Sequence, residues 1–374
     1  MTSLQKIIIA FLSILASALV AAVGYASWQV YQGWAGLPLG AVLPTSPYTP
    51  IGMPATWTAM PPDSIGLNPL VAATPYGAPR CGGPRVMTIL AIGSDTRGSG
   101  YTWGLSDVMR AVRVDFVTPR VTVLDFPRDL WVEIPYIADN LNGQDREKLN
   151  QAYLYGNPGD GFRYWDDPSA GPGLLARTLD LNFGLKVDHY LAVNMKTFVK
   201  MVDAVGGIDV TLDKPLPNSN DADLQAGTHH LDGTKALEIA RNRVDGVFAR
   251  GDYQNIVLCA LQKKLTSPKV VTQIPGLIKS FQGSVQTDLT PNMMSQLACL
   301  GTQLPRSNIS FYSFPSDLFT GTRIYDPVFK KNVFVWDVNF GILRGYVAQF
   351  QAGTWPVSPE AASSVETESA SFCN

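Results

Sequence analysis

Residues 86–97 read VMTILAIGSDTR. From Val86 to Gly93 the run carries no charge, and it stops abruptly at Ser94-Asp95-Thr96-Arg97. A short, continuous apolar run of this kind is a strand covered on both faces, so Asp95 and Arg97 are expected at its edge. Outward from it, Val108–Val117 and Val121–Phe126 read as two strands joined by the Thr118-Pro119-Arg120 turn, a hairpin. Residues 172–183 carry a helical stripe (Leu174, Leu175, Leu179) behind Pro172. His189–Asn194 is a strand, and Lys196–Val205 a helix ended by Gly206-Gly207. Ile208–Leu212 is a further strand, and Asp232–Arg241 and Asp252–Leu265 are helices. Alternation of strands and helices predicts an α/β fold with a mixed central sheet sandwiched between helices.

The chain has 374 residues, 46% of them hydrophobic, with a net charge of −2. That composition supports a sizeable core and excludes a disordered or collagen-like chain. It also argues against nucleic acid as a partner, which calls for a basic patch. Three histidines make a His-rich zinc site improbable, and the adjacent His229 and His230 read as a surface pair on an extended segment.

No charged side chain occurs between Lys6 and Asp63. Ile7–Trp28 is long enough to cross a hydrocarbon core as a helix, with Trp28, Tyr31 and Trp34 at its end, where aromatic rings favour headgroups. The expected organisation is therefore a short inner N-terminus and transmembrane helix over 1–34, with the bulk of the chain outside a cell membrane crossed once. A cleaved signal peptide is the rival. Residues 36–84 hold eleven prolines, so 35–85 reads as a stiff extracytoplasmic linker. A catalytic domain is expected over 86–266, a C-terminal α/β part packing on it over 267–350, and a loose tail over 351–374.

Polar residues collect at the element edges: Asp95 and Arg97, Asp107, Arg128, Lys148 and Asn150, then Arg241, Arg243 and Arg250, with Gln254 one turn on. If these edges converge, the site holds carboxylates for a hard cation and guanidinium forks for phosphate oxygens.

The pieces, in order, are G-S-D-x-R, Ser106-Asp107, P-R-D after a hairpin, K-L-N-Q-A-Y, VDAVGGI over 202–208, Leu231-Asp232-Gly233 and an R-x-R…R…Q cluster. In that order the chain resembles the LytR-CpsA-Psr family of cell-envelope proteins. The resemblance implies a phosphotransferase moving a glycopolymer from a polyprenyl-pyrophosphate carrier to peptidoglycan or another envelope acceptor. It implies Mg²⁺ at Asp95 and Asp107, pyrophosphate at Arg128, Arg241, Arg243 and Arg250, and substrate contacts from Arg97 and Gln254. Asp129 reads as a partner of Arg128 or a helix cap, and Leu175, Leu179, Phe198, Val199 and Val202 are candidates for a lipid slot. The sequence departs from the family pattern at Leu105 and Tyr253, where the family usually carries arginines, and Arg110 and Arg113 are candidate replacements. Two other readings stay open: a hydrolase of lipid-linked pyrophosphates, and a polyprenyl-phosphate-binding envelope protein without catalysis.

Four cysteines outside a membrane allow three pairings. The simplest assignment joins Cys259 to Cys299 and Cys81 to Cys373, with free buried thiols at 259 and 299 as the alternative.

Overall fold

The computed structural model describes residues 77–355 except 97, 99, 139–140, 142, 158–163, 217–223, 243–246, 268–269, 271–276, 278–280 and 282, together with 17, 20–25, 28, 37–44 and 370–373. The apolar run that opened the reading is β1 (Val86–Ser94). It pairs antiparallel with β2 (Ser106–Asp115), which pairs with β3 (Arg120–Asp125) as the hairpin turn requires. β4 (Trp131–Glu133) and β5 (Arg146–Lys148) form a small ribbon beyond β3. β6 (His189–Asn194) runs parallel to β1 on its other side. β7 (Ile208–Leu212) and β8 (Gly227–Leu231) form a separate hairpin. β9 (Gln286–Thr287), β10 (Ile309–Ser313) and β13 (Ala370–Phe372) complete the main sheet, whose order is β13-β10-β3-β2-β1-β6-β9. β11 (Thr320–Asp326) and β12 (Lys331–Asp337) make a hairpin of their own.

The helices are α1 (Gln151–Gly156), α2 (Ala170–Phe183), α3 (Met195–Ala204), α4 (Gly233–Arg241), α5 (Val247–Leu265), α6 (Pro291–Gln303) and α7 (Phe340–Ala352). Strand periodicity assigns them to two layers. Leu90, Ile92, Met109, Ala111 and Leu124 face α2 and α7 through Leu174, Leu179, Leu343 and Val347. Met87, Ile89 and Val114 face the other way, onto Leu300 of α6. Helices α3, α4 and α5 build a second core with the β7–β8 hairpin, around Val202, Ile208, Ile239 and Val257. The result is a mixed sheet between helical layers, as the alternation predicted. Leu175 and Leu179 belong to the first of these cores, Phe198 and Val202 to the second.

Most of 7–28 lies outside the described residues, and among those described no helix is long and apolar enough to cross a membrane. Residues 37–44 of the Pro-rich linker lie against the domain: Leu39 N–H donates to Leu289 O (3.2 Å), the Tyr190 hydroxyl donates to Ala41 O (2.8 Å), and Leu43 joins the core.

The expected cysteine pairing is wrong. Cys81 bonds Cys299 and Cys259 bonds Cys373, with Cα–Cα separations of 6.0 and 5.2 Å. The turn Arg80–Gly82 is held beside α6 by Gln296, whose amide donates to Gly82 O at 2.8 Å. The C-terminal strand β13 runs along β10 and delivers Cys373 to α5. Both partnerships depend on segments meeting across the fold, which sequence neighbourhood does not encode.

Candidate functional site

The β1–β2 ladder is regular from Val86 to Gly93 and then slips, pairing Ser94 with Ser106 and Gly93 with Val108. Asp107 is the residue left over in this bulge. Bulges bend a strand and re-aim a side chain, and Asp107 is aimed at two guanidiniums. Arg128 follows β3 and donates from Nη1 to Asp107 Oδ1 at 2.6 Å. Arg250 donates from Nη2 to Asp107 Oδ2 at 3.4 Å and to its carbonyl at 3.3 Å. Residues distant in sequence thus converge on one carboxylate.

The row continues outward. Arg128 Nε donates to Asp129 Oδ2 (3.2 Å), and Lys148 Nζ donates to Asp129 Oδ1 (2.6 Å). Asp129 therefore acts as the partner of Arg128, and Lys148 is a member of the site. The ribbon register explains the approach: Trp131 pairs with Lys148, so the residues just before β4 meet the end of β5. The backbone of Asn150 fastens both sides, with its N–H donating to Arg128 O and its carbonyl accepting from Ser106 N–H, each at 3.2 Å. Burial alone would lower the pKa of Arg128, but Asp107 and Asp129 override it and hold the guanidinium above its ordinary value.

Asp95 closes the loop after β1, accepting from Leu105 N–H at 2.7 Å while its own N–H donates to Leu105 O at 3.0 Å. It stands at the same end of the β1–β2 pair as Asp107. Helix α5 begins at Val247, ahead of the expected Asp252, so Arg250 and Gln254 lie one turn apart inside it and share a face. Gln254 does not reach toward Asp107. Its Oε1 accepts from Arg110 Nη2 (3.1 Å) and its amide donates to Ala240 O (3.3 Å), tying α5 to β2 and α4. Arg241 is exposed at the C-terminal end of α4. Arg97 and Arg243 lie outside the described residues.

Arg110 and Arg113 do not replace the arginines absent at 105 and 253. Arg110 is buried and bound to Asp125 (3.3 Å), Gln254 and Asn255 (2.5 Å). Arg113 is buried against Asp115 and the Gln351 carbonyl. Tyr253 is buried in the second core, where an arginine would be poorly placed.

For a divalent cation, Asp95 and Asp107 offer hard oxygens. Among the described residues no group of three or more His, Cys, Asp or Glu side chains gathers to hold an ion. Both oxygens of Asp107 already face guanidiniums. The donor set fits Mg²⁺ held largely by phosphate oxygens and water, with few protein ligands, as is usual for that ion.

The model of the LytR_cpsA_psr family matches residues 83–337, more than half of the chain. The regulatory protein MsrR of Staphylococcus aureus is 28% identical over 207 residues, 54% of this chain and 56% of that protein. TagU of Oceanobacillus iheyensis, named a polyisoprenyl-teichoic acid–peptidoglycan teichoic acid transferase, is 30% identical over 214 residues, 56% of this chain and 61% of that one. The match thus spans little more than half the length of these curated relatives. In three dimensions, TagV of B. subtilis superposes with a TM-score of 0.54 at 22% identity, covering 72% of this chain and 98% of that one.

Proposed function

Because the chain belongs to the LytR_cpsA_psr family, we propose that it is a membrane-anchored phosphotransferase. It moves a glycopolymer from a polyprenyl-pyrophosphate carrier to peptidoglycan or another envelope acceptor, outside the cell membrane. The observation that carries this reading is the grip of Arg128 and Arg250 on the bulged carboxylate of Asp107. TagU, by name, transfers a teichoic acid to peptidoglycan.

In the reaction an acceptor hydroxyl forms a bond to the sugar-side phosphorus. The bond to the bridging oxygen breaks, polyprenyl phosphate departs, and the hydroxyl proton passes to solvent. Such a transfer asks the protein for positioning and charge neutralisation rather than covalent help. Arg128, half-buried and fixed by Asp129, holds its guanidinium against Asp107. Arg250 approaches from the helix side, and an incoming phosphate oxygen competes with the Asp107 carboxylate for both. Arg241 and Arg243 supply outer contacts. Mg²⁺ at Asp95 and Asp107 would neutralise phosphate charge when bound.

A second reading, a polyprenyl-phosphate-binding protein without transfer, is favoured by Leu105 and by Tyr253, which is buried in the core. Assaying full-length chain for transfer from a lipid-linked donor, alongside binding of the donor, separates them. Transfer that disappears in Arg128→Ala supports the proposal. Binding with no transfer in the wild type favours the second reading.

A further inference from the structure

Glu147 is fully buried between two residues that are only half-buried, Arg146 and Lys148. Strand alternation turns Lys148 toward Asp129 and Glu147 to the other face of the ribbon. There neither carboxylate oxygen of Glu147 has a well-formed hydrogen bond, and the Gln151 side chain alone stands close enough to act on it as a donor. It faces Asp326 of β11, itself almost fully buried, and the two side chains are within hydrogen-bond reach. Gln151 and Tyr155 of α1 close the surroundings, Tyr164 stands beyond Tyr155, and the Lys148 cation acts on Glu147 from the same strand. Two ionised carboxylates only accept, so an anion pair in contact here would repel, with Glu147 short of donors.

One proton resolves this. Asp326 Oδ1 already accepts from Val328 N–H (2.9 Å) and Phe329 N–H (3.0 Å) in the hairpin turn, which suits the ionised form. The proton therefore belongs on Glu147, whose O–H donates to Asp326. The consequence reaches the site, because the other strand of the same hairpin touches it. Trp336 of β12 donates its N–H to Asp129 O at 2.9 Å and bridges Leu130. The hairpin thus grips both members of the Asp129–Lys148 pair, one through Trp336 and the other through Glu147.

We propose that Glu147 and Asp326 share one proton, and that this latch holds the β11–β12 hairpin against the ribbon, positioning Lys148 and, through Asp129, Arg128. Burial supports it, pushing Glu147 up to about 8, with the neighbouring Asp326 acting in the same direction. The sign follows from linkage. An acid whose folded value is raised contributes stability that is complete below its unfolded value, near 4.5, and is lost as pH rises through about 8.

The latch concerns the fold directly, while its effect on ligand binding rests on the proposed function. The test compares full-length wild type, Glu147→Gln and Glu147→Ala. Melting temperature is measured from pH 5 to pH 9, and hydrogen exchange of 320–337 at each pH is corrected for intrinsic rate. Glu147→Gln keeps a donor for Asp326 and cannot ionise. Its melting temperature should gain on the wild type as pH rises, and its hairpin should stay protected at pH 9 while the wild-type hairpin opens. Glu147→Ala should expose the hairpin at every pH and weaken binding of geranylgeranyl pyrophosphate several-fold, with Glu147→Gln restoring it. A melting difference between wild type and Glu147→Gln that is constant with pH overturns the proposal. So does a Ca²⁺-dependent rise in melting temperature present in wild type and absent in Glu147→Gln, which would make the pair a cation site. If no form binds the pyrophosphate, the functional reading fails, and the melting and exchange data still decide the latch.

Discussion

Asp107 and Arg110 stand three residues apart on one strand, yet they belong to ion networks of opposite character. The Arg110 side chain is 2% exposed, with Nη1 and Nη2 donating to Asn255, Gln254 and the Gly251 carbonyl and Nε 3.3 Å from Asp125 as an ion pair. Burial lowers its pKa, with Asp125 and Asp252 pulling the other way. The Arg128 side chain, by contrast, is 24% exposed and shares its carboxylates with Arg250 and Lys148. One network is closed, with every partner contributed by the protein and none exchangeable. The other is half-open, with cations in excess of the carboxylate they surround. Residue type does not distinguish a structural arginine from one ready for an anion. The arrangement of its partners does.

The largest expected effect falls on the closed network. Arg110→Ala removes the ion pair to Asp125 and the donors to the side-chain oxygens of Gln254 and Asn255. Breaking a buried pair costs about 3–5 kcal/mol, and partial exposure of Asp125 places this one near the lower end. Denaturant unfolding measures it, and a loss below about 1 kcal/mol would erase the contrast. Next come Arg128→Ala and Arg250→Ala, each removing hydrogen bonds to a charged group worth about 1.5–3 kcal/mol. Binding of a polyprenyl pyrophosphate should weaken roughly ten- to a hundredfold in each, with less destabilisation than in Arg110→Ala. Lysine at either position should recover little, since a point charge does not replace a fork. Unchanged affinity with lowered stability would move both arginines into the closed class.

Asp95→Asn sharpens the comparison at the metal. The amide oxygen can still accept from Leu105 N–H, so folding should be kept while the charge is lost. Transfer at limiting Mg²⁺ should fall about tenfold, equivalent to about 1.4 kcal/mol, and full activity there would remove Asp95 from the metal site. The smallest effect belongs to His189, whose Nδ1 lies 3.2 Å from Asp288. The hydrogen bond to Asp288 raises its pKa against the opposing pull of burial. Its stabilisation is complete below the unfolded value and lost as pH rises through the raised folded one. His189→Gln should flatten the fall in stability as pH rises above about 6.5, by less than about 1 kcal/mol, measured by melting.

Five strands (β1, β2, β3, β6 and β7) and four helices (α2 to α5) were legible because apolar periodicity and turn residues are local signals. β1, the β2–β3 hairpin and α2 fall within a few residues of their expected places. Asp107, Arg128 and Arg250 were legible as a group only through the order of the motifs. Lys148 was named among the polar residues at the element edges, and ribbon register brings it to Asp129. Two things were not legible. The direction of Arg110 depends on what α5 places opposite it. Glu147, between Arg146 and Lys148, looks like an ordinary surface charge until Asp326, far along the chain, is packed against it.

The order of the cysteines along the chain, 81, 259, 299 and 373, makes the two bridges interleave. A chain that reaches an oxidising compartment amino end first presents Cys81 and Cys259 together before either native partner has arrived. The first bridge available to it is therefore a wrong one. Where that bridge forms, reaching the native pairs requires exchange through a mixed disulfide, which runs on a scale of seconds to hours unless catalysed. On the proposed extracytoplasmic reading the chain is a substrate for a disulfide isomerase as well as an oxidant, and the Cys259–Cys373 bond is the last that can close.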